Sequence, residues 1–168
     1  MRLHDINKVL YRKRLNRIIV ACIIALAAGS LAISQLLILL FPDESGSHFH
    51  WNFIGVLVTA ISIGLLLNKY RYSEFMTEVV YVWELKKALN KINRKMPQIK
   101  LAAQQGNVDA LITLQYCYAG SRQLWQLDDN TITMEELAIH QAELDGLATQ
   151  YNLRLNANDY NEGMLKKF

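Results

Sequence analysis

The sequence predicts an all-α protein: a two-span transmembrane helical hairpin followed by a cytoplasmic helical bundle with coiled-coil character. Three observations predict it. Residues 18–41 form 24 consecutive positions without a charge. A second apolar run, residues 51–67, follows after a loop of nine residues. From Glu74 onward the pattern changes to apolar side chains three and four positions apart, separated by lysines and arginines. No segment makes a convincing strand, and no repeat is present.

Charge placement says more than the net value of +3. Residues 1–17 sum to +5, residues 69–100 again to +5, and residues 101–168 to −5. The loop between the apolar runs carries Asp43 and Glu44 and no Lys or Arg. Of the 168 residues, 52% are hydrophobic, and the excess falls in the first 70. Any soluble core must therefore come from residues 68–168, enough chain for a small one. Cys22 lies in the first apolar run and Cys117 in a distant polar region, which is not a disulfide framework.

Taken in order, residues 1–17 are expected to form a short basic helix, with Leu3, Ile6 and Leu10 at helical spacing. It serves either as an amphipathic segment on anionic lipid or as plain topogenic charge. The first span, residues 18–41, exceeds a signal-peptide core and is expected to stay in the mature chain. Ala21, Ala25 and Gly29 fall four apart, as do Ala28 and Ala32, which favours close approach of another helix. Gln35 is expected to face that partner or to lie near the outer interface. Pro42 ends the span, and residues 42–50 form the outer loop.

The second span covers residues 51–67, about 25 Å of helix at about 1.5 Å per residue. Trp51 and Phe53 suit an aromatic belt. Gly55 with Thr59, and Ala60 with Gly64, are expected to face the small stripe of the first span. The basic flank expected to face lipid headgroups comprises Lys8, Arg12, Lys13, Arg14 and Arg17 before the spans and Lys69 and Arg71 after them. The excess of Lys and Arg on these flanks puts both termini in the cytoplasm and the loop outside.

In residues 68–168, Val82, Leu85, Leu89, Ile92, Met96, Ile99 and Ala103 make a three-four seam, which is expected to continue directly from the second span. Pro97 interrupts it. Gly106 stops the helix and Asn107 caps the next, which runs from about Val108 to Leu127 with Leu111, Leu114, Tyr118 and Trp125 on one face. Gly120 inside that helix is expected to admit a neighbour. A turn at Asp128, Asp129 and Asn130 leads to a capping box of Thr133 and Glu136, with Ile132 and Leu137 as a hydrophobic staple. The last helix carries Leu137, Leu144, Leu147 and Tyr151 on one side, and the tail from Asn152 packs on the bundle.

The stretches EVVYVWELKKALNKINRK (residues 78–95) and RQLWQLDDNTIT (122–133), with the basic start and two spans, resemble a family of small bacterial inner-membrane proteins of unknown function. The resemblance covers the whole chain. It implies bacterial origin and placement in the cytoplasmic membrane, and brings no activity, cofactor or site residue with it.

Few residues point to chemistry. His48 and His50, with Asp43 and Glu44, offer four potential ligands for Zn²⁺ or Cu²⁺ in the outer loop, or a pair of titrating imidazoles. Asp128, Asp129 and Asn130 lack the spacing of a calcium loop. His140 has no nucleophile near it in sequence and is expected at a helix interface. Glycine-rich phosphate loops, CxxC, GxSxG and HExxH patterns are absent. The spans hold no ionisable Asp, Glu, Lys, Arg or His, which argues against a transporter. The basic face of residues 86–100 lacks interleaved aromatics, so nucleic acid is not expected as a partner.

The expectation is a non-enzymatic membrane adaptor without cofactor or metal. Its partners would be membrane lipids and either a second copy of itself or another protein. The contact falls to the seam if that is intermolecular; if it is intramolecular, those residues are core. The alternative is a sensor whose outer-loop histidines bind a ligand.

Overall fold

A computed structural model describes residues 2–42, 46–130 and 132–168. The protein is all-α, with no strand among the described residues. Among the described residues six α-helices follow one another: α1 (Lys8–Leu40), α2 (Phe49–Tyr70), α3 (Thr77–Asn93), α4 (Met96–Gln104), α5 (Val108–Asp128) and α6 (Met134–Gln150). The chain divides into two compact units. Val9–Val80 is the hairpin unit; the N-terminal segment up to Lys8 and Tyr81–Phe168 form the helical domain.

In the hairpin unit, α1 and α2 are long and apolar enough to cross a membrane. Only 6% and 11% of their most apolar stretches are buried, so neither is packed as a core helix within the chain. Leu31, Leu39, Phe53 and Leu65 are among the large apolar side chains left exposed. The basic segment is not a separate helix over residues 1–17. Its helical part is the start of the 33-residue α1.

The two helices meet through small residues. A Cβ added to Gly29 would lie 2.8 Å from Thr59 Cγ2, and one on Gly55 would lie 2.8 Å from the Ser30 carbonyl oxygen and clash with Ser34 Oγ. Phe41 stacks on Trp51 at 5.4 Å. Contacts thus climb α1 while descending α2, an antiparallel hairpin. Lipid tails are as apolar as leucine, so close backbone approach replaces hydrophobic burial as the attraction between such helices. Two hydroxyls are satisfied within their own helix, Thr59 donating to the Gly55 carbonyl at 2.7 Å and Ser30 to that of Ala27 at 3.1 Å, while Ser34 donates across the hairpin to the Trp51 carbonyl at 3.4 Å.

The expected pairing of Gly55 and Thr59 with the first span is present, Gly29 being the member of its small stripe that takes part; the other members do not. Ala21, Ala25, Ala28, Ala32 and Ala60 are exposed, and Gly64 has open space around it. Gln35 is exposed near the end of α1 and does not face α2. Nor does the second helix run on into the domain. Arg71–Ser73 form a turn, with Ser73 extended at ψ 150°, and a short 3-10 turn, Glu74–Met76, precedes α3.

In the helical domain α5 is the centre. It contacts α4, α6 and the 3-10 segments Ala157–Asp159 and Glu162–Lys167. Ala110, Leu111, Thr113, Leu114, Tyr116 and Cys117 are all buried, so α5 is covered on most of its circumference and not on one face. On α3, Val82, Leu85, Leu89 and Ile92 are buried, as are Ile99 and Ala103 on α4, and Met96 is half-buried. The seam is therefore split between two helices. Its break at residues 94–95 places Pro97 in the first turn of α4, where its missing N–H costs nothing. A Cβ on Gly120 would meet Leu85 Cδ1 at 3.1 Å and Leu89 Cδ2 at 3.2 Å, so Gly120 admits α3.

The α4–α5 corner forms as its sequence predicts. Gly106 has φ +79°, and the Asn107 N–H donates to the Ala102 carbonyl at 3.1 Å and that of Gly106 to Ala103 at 3.0 Å. The Asn107 side chain then accepts from the Ala110 N–H at 3.1 Å. The start of α6 departs from expectation. Thr133 has ψ 1° instead of the extended value a cap needs, and its hydroxyl makes no cap bond. Ile132 is 90% exposed, so there is no staple onto Leu137. The tail packs as expected: Tyr160 is buried and stacks on Tyr116 at 4.2 Å, and Lys95 donates to the Leu165 carbonyl at 2.8 Å.

Candidate functional site

The helical domain carries a polar cleft of about 590 Å³. Its floor is a stripe of α5: Gln115, Ala119, Arg122 and Gln126, spaced four, three and four apart. That spacing keeps side chains on one face of a helix. Gln141 and Asp145 of α6 and Leu3, His4 and Asp5 of the N-terminal segment complete the lining with Gln123.

Residues 2–7 are not helical. Side chains far along the chain hold their backbone. The Leu3 N–H donates to Asn158 Oδ1 at 3.1 Å, and the His4 N–H to the Tyr81 hydroxyl at 3.2 Å. Gln123 Nε2 donates to the His4 carbonyl at 2.7 Å, and Gln123 Oε1 accepts from the Tyr81 hydroxyl at 2.9 Å. The His4 ring lies 4.0 Å from that of Tyr81, and Lys8 pairs with Asp129. The first residues are thus a strap across the domain.

Across the cleft, Gln141 Nε2 donates both to Gln115 Oε1 and to Asp145 Oδ1, each at 2.9 Å. Both donors of that amide are therefore used. The Gln115 NH₂, the Gln141 carbonyl and the second Asp145 oxygen stay available. The side chains of Arg122, Gln126 and Asp5 make no hydrogen bond or ion pair among the described residues.

The residues singled out by sequence lie elsewhere. Val82, Leu85, Leu89, Ile92 and Ile99 are at most 4% exposed, covered by the chain itself, so the intramolecular alternative for the seam is the one realised. Of the basic flank, Arg14 pairs with Glu78, donates to the Glu74 carbonyl at 2.7 Å and lies over the Phe75 ring, so it is not a free headgroup cation. Lys8 is taken by Asp129. Lys69 and Arg71 lie over Tyr70 and Tyr72, at 5.9 and 5.1 Å from the ring centroids. Arg12, Lys13 and Arg17 are exposed.

Asp43 and Glu44 lie outside the described residues. His48 is half-buried, with an unpartnered and shielded Nδ1, and the His50 ring lies 4.6 Å from Trp51. Among the described residues no three His, Cys, Asp or Glu cluster as metal ligands. Asp128 pairs with Lys86 at 3.0 Å. His140 stacks on Tyr118 at 5.9 Å with Glu143 at 3.3 Å, the interface position expected for it. Burial pushes the Cys117 thiol up to about 11, so it is inert near neutrality.

The strap and the α5 stripe were both missed. The stripe is visible in the sequence, since Gln115, Ala119, Arg122 and Gln126 recur at helical spacing and three of the four are polar. Its partners on α6 and the strap come only with the fold.

Fold and cleft define an all-α protein that joins two helices able to cross a membrane to a helical domain bearing a polar cleft. The chain belongs to the family described as a protein of unknown function (DUF3087), which matches residues 1–165. No curated protein and no solved structure matches it.

Proposed function

We propose that the chain is a two-span inner-membrane protein of a bacterial cell, without catalytic activity, whose helical domain acts as a cytoplasmic adaptor for a second copy or another protein. One observation carries the reading. The apolar circumference of α1 and α2 is left uncovered by the chain, whereas residues 2–8 and 81–168 fold together. Segments on either side of the hairpin that share one fold must share one side of a membrane, which two spans achieve. The Lys and Arg of the flanks then favour the cytoplasm.

Protease added to intact spheroplasts tests the side: full-length protein should survive, and removal of the C-terminal hundred residues rejects it. Photocrosslinking in native membranes tests the adaptor. The probes belong at Leu101 and Ile139, large apolar side chains exposed on the domain. Adducts of defined mass support the role, and none from either site removes it. A sensor reading has one favouring observation, the unpartnered Nδ1 of His48. Zinc calorimetry on wild type and His48→Ala tests it, and no heat from wild type rejects it.

A further inference from the structure

We infer that the polar cleft of the helical domain binds a short peptide with both termini free, about three residues long. The inference stands whether or not the domain also docks a protein.

Size comes first. About 590 Å³ is the volume of a small-molecule site, not of a single ion. Charge comes second. Among the described residues the lining carries Asp5 and Asp145 against Arg122, so a nucleotide or other polyanion is disfavoured and a zwitterion is matched. The charges are also spaced. Gln141 ties Asp145 to the level of Gln115, and Arg122 stands seven residues further along α5, about 10 Å at about 1.5 Å per residue. Three extended residues span about 10 Å. An ammonium on the free Asp145 oxygen and a carboxylate on Arg122 therefore fit the two ends of a tripeptide, the second by a bidentate pair.

Between those ends stand amides. Gln115 offers an NH₂, Gln141 a carbonyl and Gln126 both, the complement of a peptide backbone. Among the described residues Leu3 and Ala119 are the only apolar members of the lining, so the cleft suits small, polar residues. The site is also held before the ligand arrives. Gln123 fixes the strap through the His4 carbonyl and the Tyr81 hydroxyl, and Gln141 fixes Gln115 and Asp145, which lowers the ordering cost of binding.

Calorimetry on the full chain in nanodiscs of phosphatidylethanolamine and phosphatidylglycerol tests this, with triglycine as the probe. Triglycine should bind. N-acetyl-triglycine and triglycine amide should each bind at least tenfold more weakly. Arg122→Gln and Asp145→Asn should each weaken triglycine at least tenfold, and Arg122→Gln should erase the preference over the amide. Both side chains are exposed, and an unchanged thermal melt verifies that each variant is folded. No heat from triglycine at millimolar concentration overturns the inference. So does equal binding of either blocked form, or of triglycine to both folded variants.

Discussion

The hairpin and the helical domain belong to one chain but obey different rules of cohesion. Between α1 and α2 the contacts are Gly29 on Thr59 and Gly55 on Ser30 and Ser34, where backbones nearly touch and almost no apolar area is hidden. Inside the domain the contacts are Leu85, Ile92, Ile99, Leu111 and Tyr116, each at 0% exposure. Water drives the second arrangement by expelling apolar surface, at roughly 25 cal/mol per Å². In a bilayer the first would have no such drive and would depend on fit. Perturbations that fill space should therefore hurt the hairpin, and those that remove apolar volume or charge a buried group should hurt the domain.

Alkali should separate the two most strongly. Burial pushes the Cys117 thiol up to about 11 and the phenols of Tyr118 and Tyr160 up to about 12. Each holds its proton more tightly in the folded domain than in the unfolded chain. Between the two values the unfolded state binds fewer protons, so stability falls as pH rises. It should be flat below about 9, the ordinary thiol value, and fall progressively towards about 12. Thermal melts read from Trp125 fluorescence across that range check it, and Cys117→Ala should flatten the first part of the fall. A melting temperature unchanged at pH 11 contradicts it.

Next in size is Leu85→Ala. The side chain is fully buried and touches the face that Gly120 leaves open, so its loss creates a cavity costing about 2–5 kcal/mol. Urea denaturation of the domain should show this, with no change in resistance of the hairpin to SDS. In the hairpin the opposite change is the damaging one. Gly55→Ala sets a methyl group 2.8 Å from the Ser30 carbonyl oxygen, where backbone must move, at a cost of about 1–3 kcal/mol. Gly64→Ala meets nothing within 4 Å and should be neutral or slightly stabilising. SDS titration followed by Trp51 fluorescence, with Trp83 and Trp125 replaced by Phe, distinguishes the pair. Equal effects from both glycines would remove the close-approach account of the hairpin.

The sequence already shows those features of the fold whose causes are local. Uncharged runs fix α1 and α2, the glycine at positive φ and the asparagine after it fix the α4–α5 corner, and Gly120 marks a close neighbour. Residues 2–7 were misjudged because Leu3 and Ile6 have helical spacing, while the partners that hold the strap in place, Tyr81, Gln123 and Asn158, are 77 to 155 positions away. Tertiary hydrogen bonds there override a weak local preference. Thr133 failed for a related reason. The capping-box pattern specifies residue types, but the cap needs an extended ψ, and Thr133 has ψ 1°. The three-four seam was legible as apolar periodicity. What covered it was not, because periodicity is the same for a face buried within a chain and one buried between chains. Of the cleft, only the α5 stripe could be seen before folding.

The smallest effect tests a local device inside the domain. Asn107 takes an extended conformation at ψ 115° and its side chain accepts the Ala110 N–H at 3.1 Å, satisfying one of the donors that the first turn of α5 leaves open. Asn107→Ala should cost about 1 kcal/mol by urea denaturation. Asn107→Asp keeps the acceptor and adds a negative charge at the positive end of the helix dipole, so it should be neutral or slightly stabilising. Because α5 is the element to which α4, α6 and the tail all attach, the loss should appear as a uniform fall in the stability of the domain and not as local fraying. Hydrogen exchange discriminates these outcomes. Faster exchange across α3 to α6 alike fits a single cooperative domain centred on α5, whereas faster exchange confined to residues 108–111 would mean that the helix ends open independently of the core.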